Sequence, residues 1–173
     1  DGIPLPHSAM SQRWNAGTAL AALETASRAG IAVTPCDARE GVASASWPGR
    51  FHVVAERPEI VLDGACNIAA MEVVRKCCSE RPVAGPTVAV VALCRDKEIG
   101  PVLTELGGFA DVMIATAADN PRMTPPETLE AFAPDGRPVQ VEADPISAVD
   151  RAAAIAGSEG RVLVTGSLYL VGE

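Results

Sequence analysis

The sequence is poor in aromatic residues, which make up only 3% of it, so Val, Ala, Leu and Ile must fill the interior. It has two lysines, Lys76 and Lys97, and a formal net charge of −8. Binding along a nucleic-acid backbone needs a dense basic footprint, so nucleic acid is not an expected partner. Nucleotide binding is not excluded, because it can rest on backbone amides and one or two arginines. No run of 18 apolar residues is present, so no membrane partner is expected. The start, Asp1-Gly2-Ile3-Pro4, lacks the charge-then-apolar order of a signal peptide. The five cysteines, Cys36, Cys66, Cys77, Cys78 and Cys94, are odd in number, irregularly spaced and without a CxxC or histidine cluster. They make neither a disulfide framework nor a zinc site, and point to a reducing, cytoplasmic compartment. There is also no GxxxxGK[ST] loop, no Gly-Lys dipeptide and no GxGxxG. If this chain handles ATP, it does not cradle the phosphates in a loop of that kind.

What is present is a core-forming chain: 48% of its 173 residues are hydrophobic, which argues against general disorder. Residues 13–29 read as an alanine-rich helix stopped by Gly30, and 37–45 as a shorter one with Asp37 as its cap. Trp47-Pro48-Gly49-Arg50 breaks helix, and the domain boundary is placed there, giving 1–46 and 47–173. Strands are expected at 51–55 and 60–64, joined by a hairpin turn, with helix 67–80 next. Thr87–Leu93 is a continuous apolar run, as in a strand covered on both faces. A helix near 97–107, delayed by Gly100-Pro101, and a strand at 111–117 follow. Thr124-Pro125-Pro126-Glu127 reads as a capping box that starts a helix. The chain ends with strand 139–143, helix 145–156 capped by Asp144, and strand 161–165.

This alternation predicts an α/β fold. The expected form is a Rossmann-like three-layer sandwich on a mostly parallel sheet of about six strands with one antiparallel edge strand, preceded by a short helical segment. Ligands in such sheets bind at the carboxyl ends of strands. That directs attention to loops 64–67, 94–97, 117–123 and 165–168. Asp63, Gly64 and Asn67 form one candidate: a strand-tip carboxylate can accept from ribose hydroxyls, and a helix amino terminus can face an anion. The same residues can also serve only to shape a turn. Arg50 can clamp a phosphate or stack on a base, or be merely solvated. Ser167, in Thr165-Gly166-Ser167-Leu168-Tyr169, can hydrogen-bond a carboxylate substrate or open a final helix. Arg122, in Asp119-Asn120-Pro121-Arg122, can pair with an anionic substrate or belong to ordinary turn chemistry. Cys66 lies near a helix amino terminus, which favours a thiolate. Only His7 and His52 are available as bases, and neither is placed beside it by the sequence, so a small-residue role is expected. Cys77 and Cys78 are expected in the core.

Taken in order, several fragments resemble the folylpolyglutamate synthases, including the bifunctional dihydrofolate synthase type, of the Mur ligase superfamily. Gln12-Arg13-Trp14-Asn15-Ala16 resembles the HQxxNA segment, with Ser11 where the family has histidine, and Arg39-Glu40-Gly41-Val42 resembles REGL. Trp47-Pro48-Gly49-Arg50-Phe51 resembles the WPGR linker, Asp63–Ile68 resembles DGAHNP, and Asp96-Lys97-Glu98 resembles DKD. Asp119–Arg122 and Thr165–Glu173 resemble the remaining late motifs. The resemblance implies the carboxy-terminal part of an ATP-dependent amide ligase. Residues 1–46 would be the helical tail of a central ATP-binding domain, and 47–173 the glutamate ligase domain. An amino-terminal P-loop domain would hold most of the ATP and Mg2+, and this chain alone would be inactive. The reaction would activate a dihydropteroate or tetrahydrofolate carboxylate as an acyl phosphate, which L-glutamate attacks to form an amide. By resemblance, Arg50 contacts ATP phosphate, Asp63 binds the ribose, Asn67 supports the loop, and Ser167 lies in the loop associated with the amino acid. Cys66 replaces a histidine that works at the phosphate and metal end, and Ile68 replaces proline. A thiol is a poor donor and prefers softer metals. Two other readings are a binding module that has lost catalysis and another Mur-type amino-acid ligase.

Overall fold

The computed structural model describes residues 10–173, so Asp1–Pro4 and His7 lie outside it. The chain divides into two compact units between Trp47 and Pro48. In the first, helix α1 (Met10–Arg28) is followed by helix α2 (Pro35–Ser44). Gly30, at φ 93°, makes the turn after α1. Asp37 is not the cap of α2. Thr34 is, with its hydroxyl accepting from the Asp37 amide at 3.1 Å while the Asp37 carboxylate accepts from the Thr34 amide at 2.9 Å. This reciprocal box places the cap three residues earlier than expected, and Pro35 occupies the first turn, where its missing N–H costs nothing. The Thr34 hydroxyl and amide hold the Asp37 carboxyl below its ordinary range.

The second unit is a six-stranded sheet in the order β1-β2-β6-β3-β4-β5. Its strands are β1 (His52–Glu56), β2 (Glu59–Asp63), β3 (Thr87–Val91), β4 (Val112–Ala115), β5 (Val139–Val141) and β6 (Arg161–Thr165). Only the β1–β2 pair is antiparallel, and it carries an irregularity between Val53 and Ala55. Helices α3 (Ile68–Glu80), α4 (Ile99–Gly107) and α5 (Pro126–Glu130) cover one face; α6 (Pro145–Ala156) and α7 (Leu168–Val171) cover the other. Strand β3 is buried on both faces, which is why Val88–Val91 are all apolar. Ala89 and Val91 join the α3–α5 side, where Met71, Val74, Leu103 and Leu106 pack. Val88 and Val90 join the α6 side. Ala148, Ala152 and Ala156 recur every fourth residue there, so α6 presents a row of small side chains to the sheet.

Two helix starts differ from expectation. Thr124 does not cap α5. Its amide donates to the Leu93 carbonyl at 2.9 Å, which draws it into the interior, and its hydroxyl is buried without a partner. Pro125 takes the cap position, and no side chain caps the helix. Gly100-Pro101 delays α4 only to Ile99, because Pro101 falls within the first turn.

The amino-terminal ends of β2 and β6 are tied by charge. Arg161, paired with Glu59 in the parallel register, is 1% exposed, and its Nε donates to Glu59 Oε1 at 2.5 Å. Its remaining donors reach the carbonyls of Cys78 (3.4 Å) and Arg81 at the end of α3. Arg81 donates in turn to Glu59 Oε2 and, at 3.1 Å, to Glu56. Burial alone would raise the Glu59 pKa, but hydrogen bonds from Arg81 and Arg161 outweigh it, leaving the carboxyl below its ordinary 4.5.

A lowered folded-state pKa contributes stability that is present above the unfolded value and fades as pH falls through the folded one. At pH 7, Glu59→Gln leaves Arg161 buried without a charged partner and is expected to cost about 3 kcal/mol. Urea unfolding of both proteins from pH 7 to pH 3 should show the gap closing below about pH 4.5.

Candidate functional site at the carboxyl edge of the sheet

The chain leaving β3 turns to α4 on one face, and the chain leaving its neighbour β6 turns to α7 on the other. Adjacent strands whose exits diverge leave a crevice at their carboxyl ends. The strand-tip carboxylate Asp63 stands on β2, immediately beside β6.

Asp63 is 8% exposed, and both of its oxygens are engaged by backbone. Oδ2 accepts from the Phe51 amide at 2.7 Å, and Oδ1 from the Ala65 amide at 2.8 Å. The Gly64 amide donates to the Gly49 carbonyl at 2.9 Å. Segments 49–51 and 63–65 are therefore clasped together. Phe51 is not the first residue of β1, as the sequence suggests. It sits at φ 45°, in the left-handed region, held there while its amide serves the carboxylate, and the strand begins at His52. Gly49, at φ 76°, supplies the preceding bend. Burial pushes the Asp63 carboxyl up from its ordinary range, against the Phe51 and Ala65 amides and the nearby Arg50 charge.

Arg50 is half-buried and lies on the turn that this clasp holds. A Cβ added to Gly64 would meet Leu168 Cδ2 at 2.4 Å and Arg50 Nη1 at 3.3 Å. Gly49 is flanked by Val171 Cγ1 at 3.0 Å and Leu168 Cδ2 at 3.3 Å, measured the same way. Two missing side chains thus make room for α7 and for the guanidinium. Ser167 is buried and is the N-cap of α7, its hydroxyl accepting from the Tyr169 amide at 3.1 Å. Asn67 caps α3, with Oδ1 accepting from the Ala70 amide at 2.8 Å.

Arg122 belongs to a neighbouring cluster. Its guanidinium donates to Asp96 Oδ1 at 3.3 Å and to the Tyr169 hydroxyl at 3.5 Å. Lys97 Nζ is 3.1 Å from Asp96 Oδ2. The Arg122 amide donates to Asn120, and the Asp119 amide to Glu173 Oε1, at 2.9 and 2.8 Å. Loops 94–97 and 117–123 thus meet the last helix. Arg50, Asp63 and Leu168 stand together at the β2 tip, while Arg122 meets the same helix through Tyr169. Cys66 is half-buried against the α3–α5 core. Cys77 and Cys78 are buried in α3, where burial raises both thiols, that of Cys78 to about 11. Among the described residues no group of three or more His, Cys, Asp or Glu side chains is placed to hold a metal ion. The sequence reading passed over Phe51 and Leu168, because left-handed backbone at a bulky residue and a leucine seated on two glycines leave no sequence signature.

The mostly parallel sheet with helices on both faces and loops along its carboxyl edge defines an α/β domain. The family model described as the Mur ligase, glutamate ligase domain, matches residues 49–168, and the chain belongs to that family. It is 34% identical over 171 residues to the dihydrofolate synthase/folylpolyglutamate synthase of Escherichia coli, covering 99% of this chain and 38% of that protein. The Bacillus subtilis protein of the same name is 29% identical over 163 residues, covering 94% and 38%. The chain therefore spans well under half the length of these relatives. Among solved structures, E. coli FolC in complex with DHPP and ADP superposes with a TM-score of 0.79 at 33% identity, over 98% of this chain and 38% of that one. The Mycobacterium tuberculosis folylpolyglutamate synthase complexed with ADP and AMPPCP gives 0.83 at 26%, over 98% and 40%. The Yersinia pestis bifunctional enzyme complexed with AMPPNP and Mn ion gives 0.82 at 29%, over 98% and 39%.

Gly166 is hemmed in by backbone: it adopts φ 97°, and a Cβ there would lie 2.4 Å from the Ala92 carbonyl oxygen. Gly166→Ala is expected to destabilise the domain by roughly 1–3 kcal/mol. Urea unfolding measures this, and a loss below a few tenths would show that the β6 exit relaxes freely.

Proposed function

We propose that this chain is the carboxy-terminal part of a cytoplasmic, ATP-dependent ligase that adds L-glutamate to a folate-type substrate, dihydropteroate or tetrahydrofolate. The observation that carries the reading is the positioned Arg50 at the tip of β2, in a domain whose relatives are folylpolyglutamate synthases solved with adenine nucleotides. Residues 1–46 serve as the tail of the central ATP-binding domain and 47–173 as the glutamate ligase domain. An amino-terminal P-loop domain of the same parent chain is the intramolecular partner that cradles the phosphates.

In this reading Arg50 contacts a phosphate of ATP. Its planar fork, always charged, meets the negative charge that builds as the substrate carboxylate attacks the terminal phosphorus. Asp63 accepts from a ribose hydroxyl: each carboxylate oxygen has a second lone pair beyond the one given to backbone. Asn67 keeps the loop between them in shape by capping α3. Ser167 and Arg122 flank the α-carboxylate of the incoming glutamate, the first on the β6 exit and the second through the cluster with Tyr169. Mg2+, which would screen phosphate charge when bound, would be held mainly by the P-loop domain. Cys66 lines the loop without acting as a metal ligand.

Cys66, in place of the family histidine, motivates a second reading, a module that binds nucleotide or substrate without catalysis. Substrate class is the other open choice, since another Mur-type ligase would share this domain. One assay separates these readings. The chain joined to its P-loop region is incubated with ATP, Mg2+, L-glutamate and either dihydropteroate or tetrahydrofolate. Formation of ADP with a glutamate-extended product is expected, and the isolated chain should give none. Nucleotide binding without product would favour the non-catalytic module, and product only with other acceptors another Mur-type ligase. In the active protein, Arg50→Ala is expected to lower kcat on the order of 100-fold. Unchanged kcat would remove Arg50 from the site.

A further inference from the structure

Asp63 carries more than a ligand contact can explain. A residue whose only task is to receive ribose hydroxyls needs lone pairs facing the ligand. Here each Asp63 oxygen also gives one of its lone pairs to a backbone amide, one on either side of Arg50's surroundings: Phe51, which follows Arg50 in the chain, and Ala65, which follows the glycine that Arg50 lies against. Phe51 sits at φ 45°, which a bulky residue does not adopt without compensation. The donated amide is the compensation visible here. With the Gly64 amide bound to the Gly49 carbonyl, the residues before and after Arg50 are both fixed to the β2 tip. The guanidinium side is then shaped by Gly64, whose missing Cβ leaves room for Arg50 Nη1 and Leu168 Cδ2.

We infer that Asp63 is the positioning residue for Arg50, holding the left-handed turn at Phe51 so that the guanidinium is aimed before nucleotide arrives, with Gly64 and Leu168 closing the other side. This rests on the reading of Arg50 as the phosphate contact. It changes what loss of Asp63 does: the effect falls on turnover through Arg50, in addition to any effect on nucleotide affinity.

A double-mutant cycle in the full ligase tests this, using Arg50→Ala, Asp63→Ala and the pair, with kcat and the ATP KM measured separately. If Asp63 works through Arg50, Asp63→Ala lowers kcat by at least about tenfold, and adding it to Arg50→Ala lowers kcat by less than about twofold more. If the two losses in kcat multiply, or if Asp63→Ala raises only the ATP KM, the positioning role is wrong and the ribose contact stands alone. If Arg50→Ala itself leaves kcat unchanged, the phosphate reading fails, and the inference with it. Asp63→Ala can unfold the turn altogether, so a second variant leaves the carboxylate untouched. Gly64→Ala puts a methyl group 3.3 Å from Arg50 Nη1 and 2.4 Å from Leu168 Cδ2. It should lower kcat in the same way, and Leu168→Ala added to it should restore part of the loss by letting the guanidinium return. Gly64→Ala with normal kcat would contradict the aimed-guanidinium geometry.

Discussion

A single carboxylate organises the carboxyl edge of this domain. Asp63 stands where a parallel strand ends, and its two oxygens gather the amides of Phe51 and Ala65. Without the bond from Phe51, nothing among the described contacts compensates a bulky residue at positive φ, and the turn bearing Arg50 is left with the Gly64–Gly49 backbone bond. Such a carboxylate is costly to bury, and its pKa is raised accordingly. A fold keeps a group of this kind where its geometry is needed, here at the edge where parallel α/β sheets take their ligands.

The opposite end of the same strand solves a different problem with the same chemistry. Glu59 accepts from Arg161 and Arg81, and Arg161 also satisfies two carbonyls as α3 ends. Acid stands at both ends of β2: one end holds a neighbouring strand and helix, the other the turn that bears Arg50. All five residues of β3 are buried, and Val88–Val91 supply part of the apolar interior between them.

The order of elements was legible because periodicity and punctuation agree. Val88–Val91 is apolar throughout, Asp144-Pro145 opens α6 and Gly157 closes it, and Arg161–Thr165 has the strand bounds read from sequence. Errors fall where a local signal competes with a tertiary one. Thr124 has the right residue type for a cap, but its amide is taken by Leu93. Asp37 also has the right residue type for a cap, but it is the third helical residue of the box that Thr34 opens. Strand order was not readable: β6, last in the chain, inserts between β2 and β3. At the edge, residue types and loops pointed to Arg50, Asp63 and Ser167. How Arg50 is held was invisible, because it depends on backbone amides and on side chains that glycines do not have.

The most direct test is a crystal structure of the parent protein with ADP bound. The account requires the Arg50 guanidinium within hydrogen-bonding distance of a phosphate oxygen, with the Asp63 bonds to the Phe51 and Ala65 amides intact. Phosphates bound away from Arg50, or an Arg50 turn released from Asp63 in the occupied site, would contradict it.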